Sequence, residues 1–328
     1  MTEAQRRYVA INPEDQSLSI EYDEAPSPAP GELLIRVQAA GINRADLLQR
    51  KGLYPPPPDA SPILGLEVAG EVIAVGEGVA GWQAGDQVCA LTHGGGYADH
   101  AVAPVGQCFP VPESFSMIEA AALPEALLTI WHNLFQRCGL QAGERVLIHG
   151  GASGMGTMGI AIARAIGAEV YTTAGTEQKC RELEKLGANR AINYRTEDFE
   201  AVIEELGLKD RIDVILDMAA GDFIQKILNI AAPEGRIVYI AFARGAQAEL
   251  NFVPLLLKRL TITGSTLRAQ SFEQKAVMTR EILETLYPHL ESGAVRPVID
   301  SVFSLEEVEQ AHARMQSGEH MGKIVLQM

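Results

Sequence analysis

The chain has 328 residues, which at roughly 100 to 200 residues per domain predicts two domains and a large buried core. Hydrophobic residues make up 47% and charged residues 21%, a composition that excludes a disordered, collagen-like or coiled-coil protein. Asp and Glu total 42 against 27 for Lys and Arg, so the net charge is −15. This charge gives no general attraction to phosphate, and we expect neither a nucleic acid nor a membrane surface as a partner.

The cysteines and the start of the chain give no sign of export. Cys89, Cys108, Cys138 and Cys180 are far apart and form no CxxC pair, which predicts neither a disulfide framework nor a zinc knuckle. The first residues, MTEAQRRYVA, lack the apolar stretch of a signal peptide, and no apolar run approaches the roughly 18 residues of a membrane span. We therefore expect a cytoplasmic protein.

Short β-like runs separated by Gly and Pro turns dominate about the first 120 residues. A short helix is predicted over Arg44–Lys51, and Tyr54 begins a stiff loop that continues through the prolines at 55–58. The predicted strands are Leu33–Gln38, Glu67–Val75, Gln87–Leu91 and Tyr97–Val102. This region is expected to be a compact antiparallel or barrel-like domain.

The pattern changes near Met117, where residues 118–135 have the character of a helix kinked by proline, and strands and helices then alternate. The predicted strands of this part are 145–149, 169–173, 190–193, 212–216, 236–241 and 260–263. The predicted helices include 177–186, 197–206, 222–229 and 272–290. Six alternating strands predict an α/β domain with a doubly wound parallel sheet. The strand-like stretches 298–303 and 323–326 are expected to return to the first domain.

A glycine-rich turn follows the first of these six strands and precedes an apolar helix. Its residues after His149 are Gly150, Gly151, Ala152, Ser153, Gly154, Met155 and Gly156. Glycine lets a backbone approach a pyrophosphate, and a helix N-terminus offers unpaired N–H groups and a partial positive charge. A literal GxGxxG begins only at Gly154, so we assign the phosphate loop to the earlier register, residues 150–156. In this setting the turn predicts a dinucleotide site, while Gly156, Gly159 and Ala163 also suit close packing of helix on sheet.

The end of the second strand of this domain bears on the choice between NAD and NADP. An NAD site usually has Asp or Glu there, to bind the ribose 2′-hydroxyl. Here the sequence is Thr172-Thr-Ala-Gly175-Thr, with Lys179 following. A missing carboxylate and a nearby cation favour a 2′-phosphate, and so NADPH, although Lys179 could also be a solvated helix residue.

Two other chemistries are disfavoured by spacing. Gly151-Ala-Ser153-Gly-Met departs from the GxSxG nucleophile elbow because its final glycine is displaced, which argues against a serine hydrolase. No pair of histidines has the HExxH spacing, and three glycines separate His93 from His100, so no helix would hold two imidazoles on one face.

Several short motifs, spread over nearly all of the chain, resemble those of one family. They are Ala40-Gly-Ile-Asn43-Arg-Ala-Asp46, Gly52-Leu-Tyr54, Gly65-Leu66-Glu67, Gly85-Asp86-Gln-Val88, Leu123-Pro124-Glu125, the phosphate loop and Gly322-Lys-Ile-Val-Leu326. On these motifs the chain resembles the zinc-independent medium-chain dehydrogenases/reductases, in particular the zeta-crystallin-like quinone oxidoreductases and their tumour-suppressor-induced NADPH quinone oxidoreductase branch. It departs from the commoner zeta-crystallin pattern at Ser153, where that loop has glycine.

The resemblance implies a fold and a set of site residues. A GroES-like β-rich catalytic domain would span residues 1–122, completed by 299–328, and a Rossmann NADP(H)-binding domain would span 123–298. Thr129 would contact the nicotinamide, Gly175 and Lys179 the 2′-phosphate, Tyr194 the adenosine end, and Lys323 the cofactor from the tail. Tyr194 as a half-exposed aromatic and Lys323 as a strand-edge charge are the alternatives.

The resemblance also bears on metal binding. Zinc alcohol dehydrogenases of the same superfamily have Cys where Asn43 stands, His where Leu66 stands, and a four-cysteine lobe that this chain lacks. Neither an amide nor a leucine provides the thiolate or imidazole that zinc prefers. We therefore expect no metal.

The activity that the resemblance implies is NADPH-dependent, metal-free hydride transfer to a quinone, which yields a stabilised hydroquinone anion. Asn43 and Tyr54 would orient the carbonyl, with Tyr54 or a water delivering the proton; alternatively Tyr54 only shapes its loop. An enoyl reductase of the same fold, or an NADPH-binding protein without turnover, remain the alternatives. A homodimer is expected through Leu260–Thr263, which would otherwise be an uncovered apolar edge strand.

Overall fold

The computed structural model describes residues 5–328, which form two compact units. The first unit comprises residues 5–128, 268–293 and 297–328, and the second comprises residues 129–267 and 294–296. Residues 268–293, which we predicted within the nucleotide-binding domain, lie in the first unit. There Tyr287 donates a hydrogen bond to the Pro110 carbonyl (3.3 Å), and a Cβ added to Gly106 would be only 2.7 Å from the Ala276 Cβ.

The helices and strands are numbered in chain order. The strands are β1 (Gln5–Ile11), β2 (Leu18–Glu24), β3 (Glu32–Ile42), β4 (Glu67–Val75), β5 (Gln87–Leu91), β6 (His100–Pro104), β7 (Cys108–Pro110), β8 (Arg145–Ile148), β9 (Glu169–Ala174), β10 (Arg190–Asn193), β11 (Ile212–Asp217), β12 (Ala231–Tyr239), β13 (Thr261–Gly264), β14 (Ile299–Ser304) and β15 (Lys323–Gln327). The α-helices are α1 (Arg44–Arg50), α2 (Met117–Ala120), α3 (Pro124–Ile130), α4 (Gly154–Ile166), α5 (Glu177–Leu186), α6 (Phe199–Glu205), α7 (Phe223–Ile230), α8 (Val253–Leu257), α9 (Phe272–Thr285), α10 (Tyr287–Glu291) and α11 (Val308–Ser317). A π-helical segment, Trp131–Arg137, follows α3.

The first unit is built on a mostly antiparallel seven-stranded sheet. Its strands follow the order β14-β15-β3-β4-β5-β7, and β6 also pairs with β3. β3 begins with alternating side chains, because Leu33 and Ile35 are buried on one face while Arg36 is exposed. The tail returns to this sheet as predicted, with Ile324 of β15 opposite Ile42 of β3. The register of that pair brings the next residues outward, Lys323 and Asn43, to the same end of the sheet.

The second unit contains a six-stranded parallel sheet in the order β10-β9-β8-β11-β12-β13. This confirms the predicted doubly wound α/β domain. The strand order reverses between β8 and β11, and in such sheets ligands bind beyond the carboxyl ends of the strands at this reversal. The loop after β8 therefore lies at the expected place for a nucleotide.

The structure differs from the predicted elements in a few places. The hairpin of β1 and β2, and helices α8 and α11, were not predicted. The single helix predicted over 272–290 is two helices, α9 and α10, separated at Leu286. Pro288 explains the break, because proline has no N–H to continue the hydrogen bonding of the preceding helix.

None of the helices within residues 5–328 combines the length and the apolar character needed to cross a bilayer.

Candidate active site

The phosphate loop connects β8 to α4 in the second unit. α4 begins at Gly154, with Ser153 as its N-cap. The Ser153 hydroxyl accepts a hydrogen bond from the Gly156 N–H (3.0 Å) and donates one to the Gly150 carbonyl (2.8 Å). The serine that departs from the commoner family pattern therefore holds the turn closed.

Several positions of this loop exclude a side chain. Gly150 has a φ of +75°, which L-residues with side chains rarely adopt. A Cβ on Gly151 would overlap the Thr172 hydroxyl, and one on Gly156 would be 2.6 Å from the Gly151 backbone. Within residues 5–328, the N–H groups of residues 154 and 155 have no acceptor, as is usual for the first turn of a helix. This bare backbone with free N–H groups fits a pyrophosphate.

For Ala152 and Met155 the predicted contact with the cofactor stays a prediction. Ala152 is buried and Met155 is partly exposed. A Cβ on Gly159 would be 3.2 Å from the side-chain ends of both Ile130 and Ile148, which agrees with the packing role predicted for this glycine. The literal GxGxxG at 154–159 is thus in part a packing pattern.

Beyond the end of β9, Gly175 lies beside two residues that follow β10. A Cβ added to Gly175 would be 2.9 Å from the Tyr194 hydroxyl and 3.3 Å from Arg195 Nε. Arg195 is exposed and, in the described chain, its guanidinium forms no ion pair. Lys179 is the third residue of α5, and its N–H is capped by Thr176 (3.2 Å). Arg195 was not predicted as a site residue, although it follows the strand that pairs with β9.

His149, the first residue of the turn, belongs to the core. Its ring is fully buried between the rings of Phe199 and Phe223, at centroid distances of 4.7 and 5.0 Å. Its Nδ1 lies 3.0 Å from the Thr173 hydroxyl, and burial lowers its pKa to about 3. The imidazole therefore remains neutral at physiological pH and serves packing.

Thr129 lies in α3 and is buried, with its carbonyl accepting a hydrogen bond from Asn133 Nδ2 (2.8 Å). Asn133 in turn accepts from the Ser265 hydroxyl (2.7 Å). These bonds fix the backbone at Thr129. The predicted contact with the nicotinamide stays a prediction.

In the first unit, four polar residues from distant parts of the chain meet at the end of β3; we refer to Asn43, Glu67, Glu125 and Lys323 as the Asn43 cluster. Glu67 is fully buried and Lys323 is only 3% exposed. The Lys323 ammonium forms an ion pair with Glu67 and donates to Asn43 Oδ1 (2.7 Å). The other Glu67 oxygen accepts from the Glu125 backbone N–H (2.9 Å). Lys323 is buried on a strand that pairs on both sides, which argues against the alternative of a strand-edge charge, and its predicted contact with the cofactor stays a prediction.

The partners of Asn43 fix the orientation of its amide. Lys323 can only donate, so the atom beside it must be the amide oxygen. The Asn43 Nδ2 group donates to Glu67 Oε1 (2.8 Å), because an ionised carboxylate can only accept. One N–H of Nδ2 then has no acceptor among residues 5–328. Asn43 can use this N–H to bind an oxygen atom of a ligand.

Two backbone features make room for the cluster. A Cβ on Gly41 would be 2.6 Å from the Ala121 carbonyl and would also overlap the Glu67 carboxylate, so only glycine fits there. Asp46, in the first turn of α1, accepts hydrogen bonds from the Asn43 N–H (2.8 Å) and the Tyr97 hydroxyl (3.0 Å). Burial raises the pKa of Asp46 to about 6 despite these bonds. Asp46 thereby holds the backbone of Asn43 and leaves its amide to the cluster.

Tyr54 and Glu125 bring further polar groups to the first unit. Tyr54 is partly buried, and its ring lies 5.5 Å from the guanidinium carbon of Arg268. Burial raises the pKa of Tyr54, and the charge of Glu125 raises it further. The Glu125 carboxyl has a pKa raised to about 7, first by burial and then by the negative charge of Glu67. Glu125 belongs to the Leu123-Pro124-Glu125 motif, from which no role was predicted for its side chain.

The donor set of the first unit does not suit zinc. Leu66 is buried and apolar, and Asn43 is engaged by Lys323 and Glu67. Across residues 5–328, no three His, Cys, Asp or Glu side chains lie close enough together to hold a metal ion. The four cysteines are free and buried, and burial raises the pKa of each thiol. These residues are unsuited to thiolate ligation.

Comparison with known families and proteins gives consistent matches over nearly all of the chain. Residues 29–113 match the alcohol dehydrogenase GroES-like domain, and residues 154–281 match the zinc-binding dehydrogenase domain. The quinone oxidoreductase of Lama guanicoe is 34% identical over 313 residues, which cover 94% of this chain and 93% of that protein.

Two further matches are a polyketide synthase and a solved structure of an enoyl reductase. One component of the phenolphthiocerol/phthiocerol polyketide synthase of Mycobacterium tuberculosis is 33% identical over 305 residues, or 91% of this chain. The match covers only 14% of that much longer protein. The crystal structure of the JamJ enoyl reductase in its apo form superposes with a TM-score of 0.86 at 27% identity, covering 99% of both chains.

Proposed function

Because this chain belongs to the medium-chain dehydrogenase/reductase family of nicotinamide-dependent oxidoreductases, we propose that it is an NADPH:quinone oxidoreductase. The observation that carries the proposal is the Asn43 cluster, which offers hydrogen-bond donors in place of metal ligands. A quinone suits such a site because its reduction yields a stabilised hydroquinone anion, which needs positioning more than Lewis-acid catalysis. The similarity to a quinone oxidoreductase over nearly the whole chain supports the same substrate class.

In the proposed reaction NADPH, when bound, supplies the hydride. Asn43 orients the acceptor carbonyl through the free N–H of its amide and stabilises the negative charge that develops there. Lys323 and Glu67 act as positioning residues, since they hold that amide in one orientation. Their burial keeps water from competing for the same hydrogen bonds.

Two groups are candidates for delivering the proton. Tyr54 has a hydroxyl that makes no hydrogen bond within the described chain, but burial raises its pKa and weakens it as an acid. Burial and the charge of Glu67 raise the pKa of Glu125 to about 7, which suits a group that gives up a proton near neutral pH. We assign orientation of the acceptor to Tyr54 and delivery of the proton to Glu125.

The cofactor preference is supported by the residues around Gly175. No carboxylate stands at the end of β9, while Arg195 Nε lies close to Gly175 and Lys179 follows in α5. A charge-assisted bond to phosphate contributes about 1.5–3 kcal/mol, so NADPH should bind at least about ten-fold more tightly than NADH. Calorimetry with both cofactors tests this preference, and equal dissociation constants would remove it.

Enoyl reduction is the second candidate function, because the JamJ enoyl reductase has the same fold over its whole length. NADPH oxidation measured with a benzoquinone, with an enoyl thioester and with neither separates the candidates. Turnover of the quinone alone, unchanged by EDTA, is the expected result. Turnover of the thioester alone would assign the chain to the second function, and loss of activity on chelation that zinc restores would overturn the metal-free site.

The proposal includes a homodimer in the cytoplasm. Among residues 5–328, β13 pairs with β12 alone and so ends its sheet, and Ile262 on it is 41% exposed. Leu256 and Leu257 of the preceding α8 are 76% and 70% exposed. Pairing of two such edges would cover this apolar surface. A monomer mass in light scattering at micromolar concentration would contradict the dimer.

A further inference from the structure

The guanidinium of Arg268, a residue just before α9 in the first unit, lacks hydrogen-bond acceptors. Its Nε, Nη1 and Nη2 atoms are all buried, and none has a partner within residues 5–328. A guanidinium has five N–H donors, accepts nothing and stays charged at every physiological pH. Nearly all buried polar groups in proteins are satisfied, and a wholly unpartnered guanidinium therefore indicates a missing acceptor.

A second buried cation lies beside it. Lys275, the fourth residue of α9, is 2% exposed, and its ammonium donates to the Arg268 carbonyl (3.3 Å). Burial lowers the pKa of Lys275; the charge of Glu125 opposes this shift, and the charge of Arg268 adds to it. The effect of the Arg268 charge on the pKa of Lys275 shows that the two cations lie near each other.

The carboxylates around these cations do not neutralise them by direct bonding. Asp46 is committed to the Asn43 N–H, the Gly65 N–H and the Tyr97 hydroxyl. Burial and the neighbouring Glu67 favour the neutral form of Glu125.

Two groups remain at the edges of the cation pair. Asp59 lies 3.3 Å from His93 Nε2 and contacts neither cation at hydrogen-bond distance. The aromatic ring of Tyr54 lies with its centroid 5.5 Å from the guanidinium carbon of Arg268. The charges of Asp46 and Glu125 lie close enough to act on Arg268, but no group among residues 5–328 accepts a hydrogen bond from its guanidinium.

We propose that Arg268, supported by Lys275, forms a subsite for a carboxylate on the acceptor, so that the preferred substrates are quinones bearing a carboxylate side chain. The inference rests on the proposed function, because it places the subsite next to Tyr54, the residue assigned to the acceptor. The planar guanidinium can donate two parallel hydrogen bonds to a carboxylate, which a neutral quinone side chain cannot match. The shortage of acceptors at Arg268 is then met by the substrate itself.

The test uses one quinone in two forms, a benzoquinone carrying a propanoate side chain and the methyl ester of the same compound. The two share the ring and its reactivity, and they differ in charge. The wild type should prefer the acid, and Arg268→Met should lower the acid-to-ester ratio of kcat/KM by about 10- to 100-fold, mainly through KM for the acid. Arg268→Lys should give an intermediate ratio, and Arg280→Met, an exposed arginine on α9, should leave the ratio unchanged. An unchanged ratio in Arg268→Met would overturn the subsite.

A binding measurement separates this proposal from the proposed function. Calorimetric titration of the enzyme with the propanoate compound needs no turnover. Binding that is lost in Arg268→Met, in a protein that reduces neither quinone, would retain the subsite and reject quinone reduction. Turnover of both quinones with equal affinity in wild type and variant would retain the function and reject the subsite. Removal of an unpartnered buried charge should not lower the melting temperature, so the variant is expected to fold.

Discussion

The phosphate loop and the Asn43 cluster present polar groups in opposite ways, the loop from its backbone and the cluster from side chains. The loop is one continuous segment, residues 150–156, in which close backbone contacts at Gly151 and Gly156 exclude side chains and the N–H groups of residues 154 and 155 stay free. The cluster uses side chains that are up to 280 residues apart, and two of them form a buried ion pair. A backbone site depends on the absence of side chains, whereas a side-chain site depends on the hydrogen bonds and ion pairs that its residues make with one another. The two should therefore fail differently when altered.

The largest expected effect is on the buried ion pair. Lys323→Met leaves the Glu67 carboxylate buried without its cation, which should lower the free energy of unfolding by about 3–5 kcal/mol in urea denaturation. The double variant Glu67→Gln/Lys323→Met should recover most of this loss. Lys185→Met, which breaks the exposed pair with Glu182, should cost less than about 1 kcal/mol. Equal losses for the two lysine variants would contradict the difference drawn between buried and exposed pairs.

The next effect concerns Tyr54, which tests whether the first unit takes part in chemistry or only in binding. If the phenol donates a hydrogen bond to the developing oxyanion, Tyr54→Phe should lower kcat by about 10- to 1,000-fold and leave NADPH affinity unchanged. Steady-state kinetics with one benzoquinone provide the measurement, with Tyr8→Phe, on the exposed β1–β2 hairpin, as the control. A Phe variant with wild-type kcat would assign Tyr54 to shaping its loop.

A glycine substitution tests the backbone site in the same way. In Gly156→Ala the new Cβ would be 2.6 Å from the Gly151 backbone, which cannot give way as a side-chain end can. NADPH should bind about 10- to 100-fold more weakly, since such overpacking costs about 1–3 kcal/mol. Gly159→Ala is the matched control, because its Cβ would meet only isoleucine side-chain ends at 3.2 Å. Similar dissociation constants for the two variants would mean that the loop tolerates a side chain.

The smallest expected effect is on pH dependence and concerns Glu125. Its pKa is raised to about 7, so the protonated form required of an acid is present below pH 7 and lost above it. The value of kcat should fall as pH rises through 7. Glu125→Gln should lower kcat and abolish this decrease of kcat with rising pH.

The stability of the fold should change with pH in the same direction. Protonation of Glu125 is favoured in the folded state, so its contribution is fully present below pH 4.5 and is lost as pH rises through about 7. Glu125→Gln should flatten the difference in unfolding free energy between pH 5 and pH 8. If the decrease in kcat or in unfolding free energy with rising pH persists in this variant, another group is responsible for it.

The two regions also differ in how far they could be predicted. The register of the phosphate loop followed from the spacing between the strand and the helix, and the glycines at 150, 151 and 156 stand where a side chain is excluded. Asn43 was predicted from a motif, but its partners were not: Glu67 and Glu125 were quoted without roles, and Lys323 was assigned to the cofactor. Nothing in the sequence around Arg268 signals its unpartnered guanidinium.

The sequence by itself determined the parallel sheet, the phosphate loop and the family, because periodicity, glycine spacing and short motifs are local properties of the chain. Tertiary structure alone decided which polar side chains are paired. The antiparallel register of β15 against β3 brings Lys323 beside Asn43, and a shift of one residue would turn its side chain to the opposite face. Burial then gives Glu125 its raised pKa and leaves Arg268 without an acceptor, since both effects depend on which groups exclude water. Water is excluded from these groups by contacts between residues that are distant in sequence, and such contacts cannot be identified from local sequence patterns.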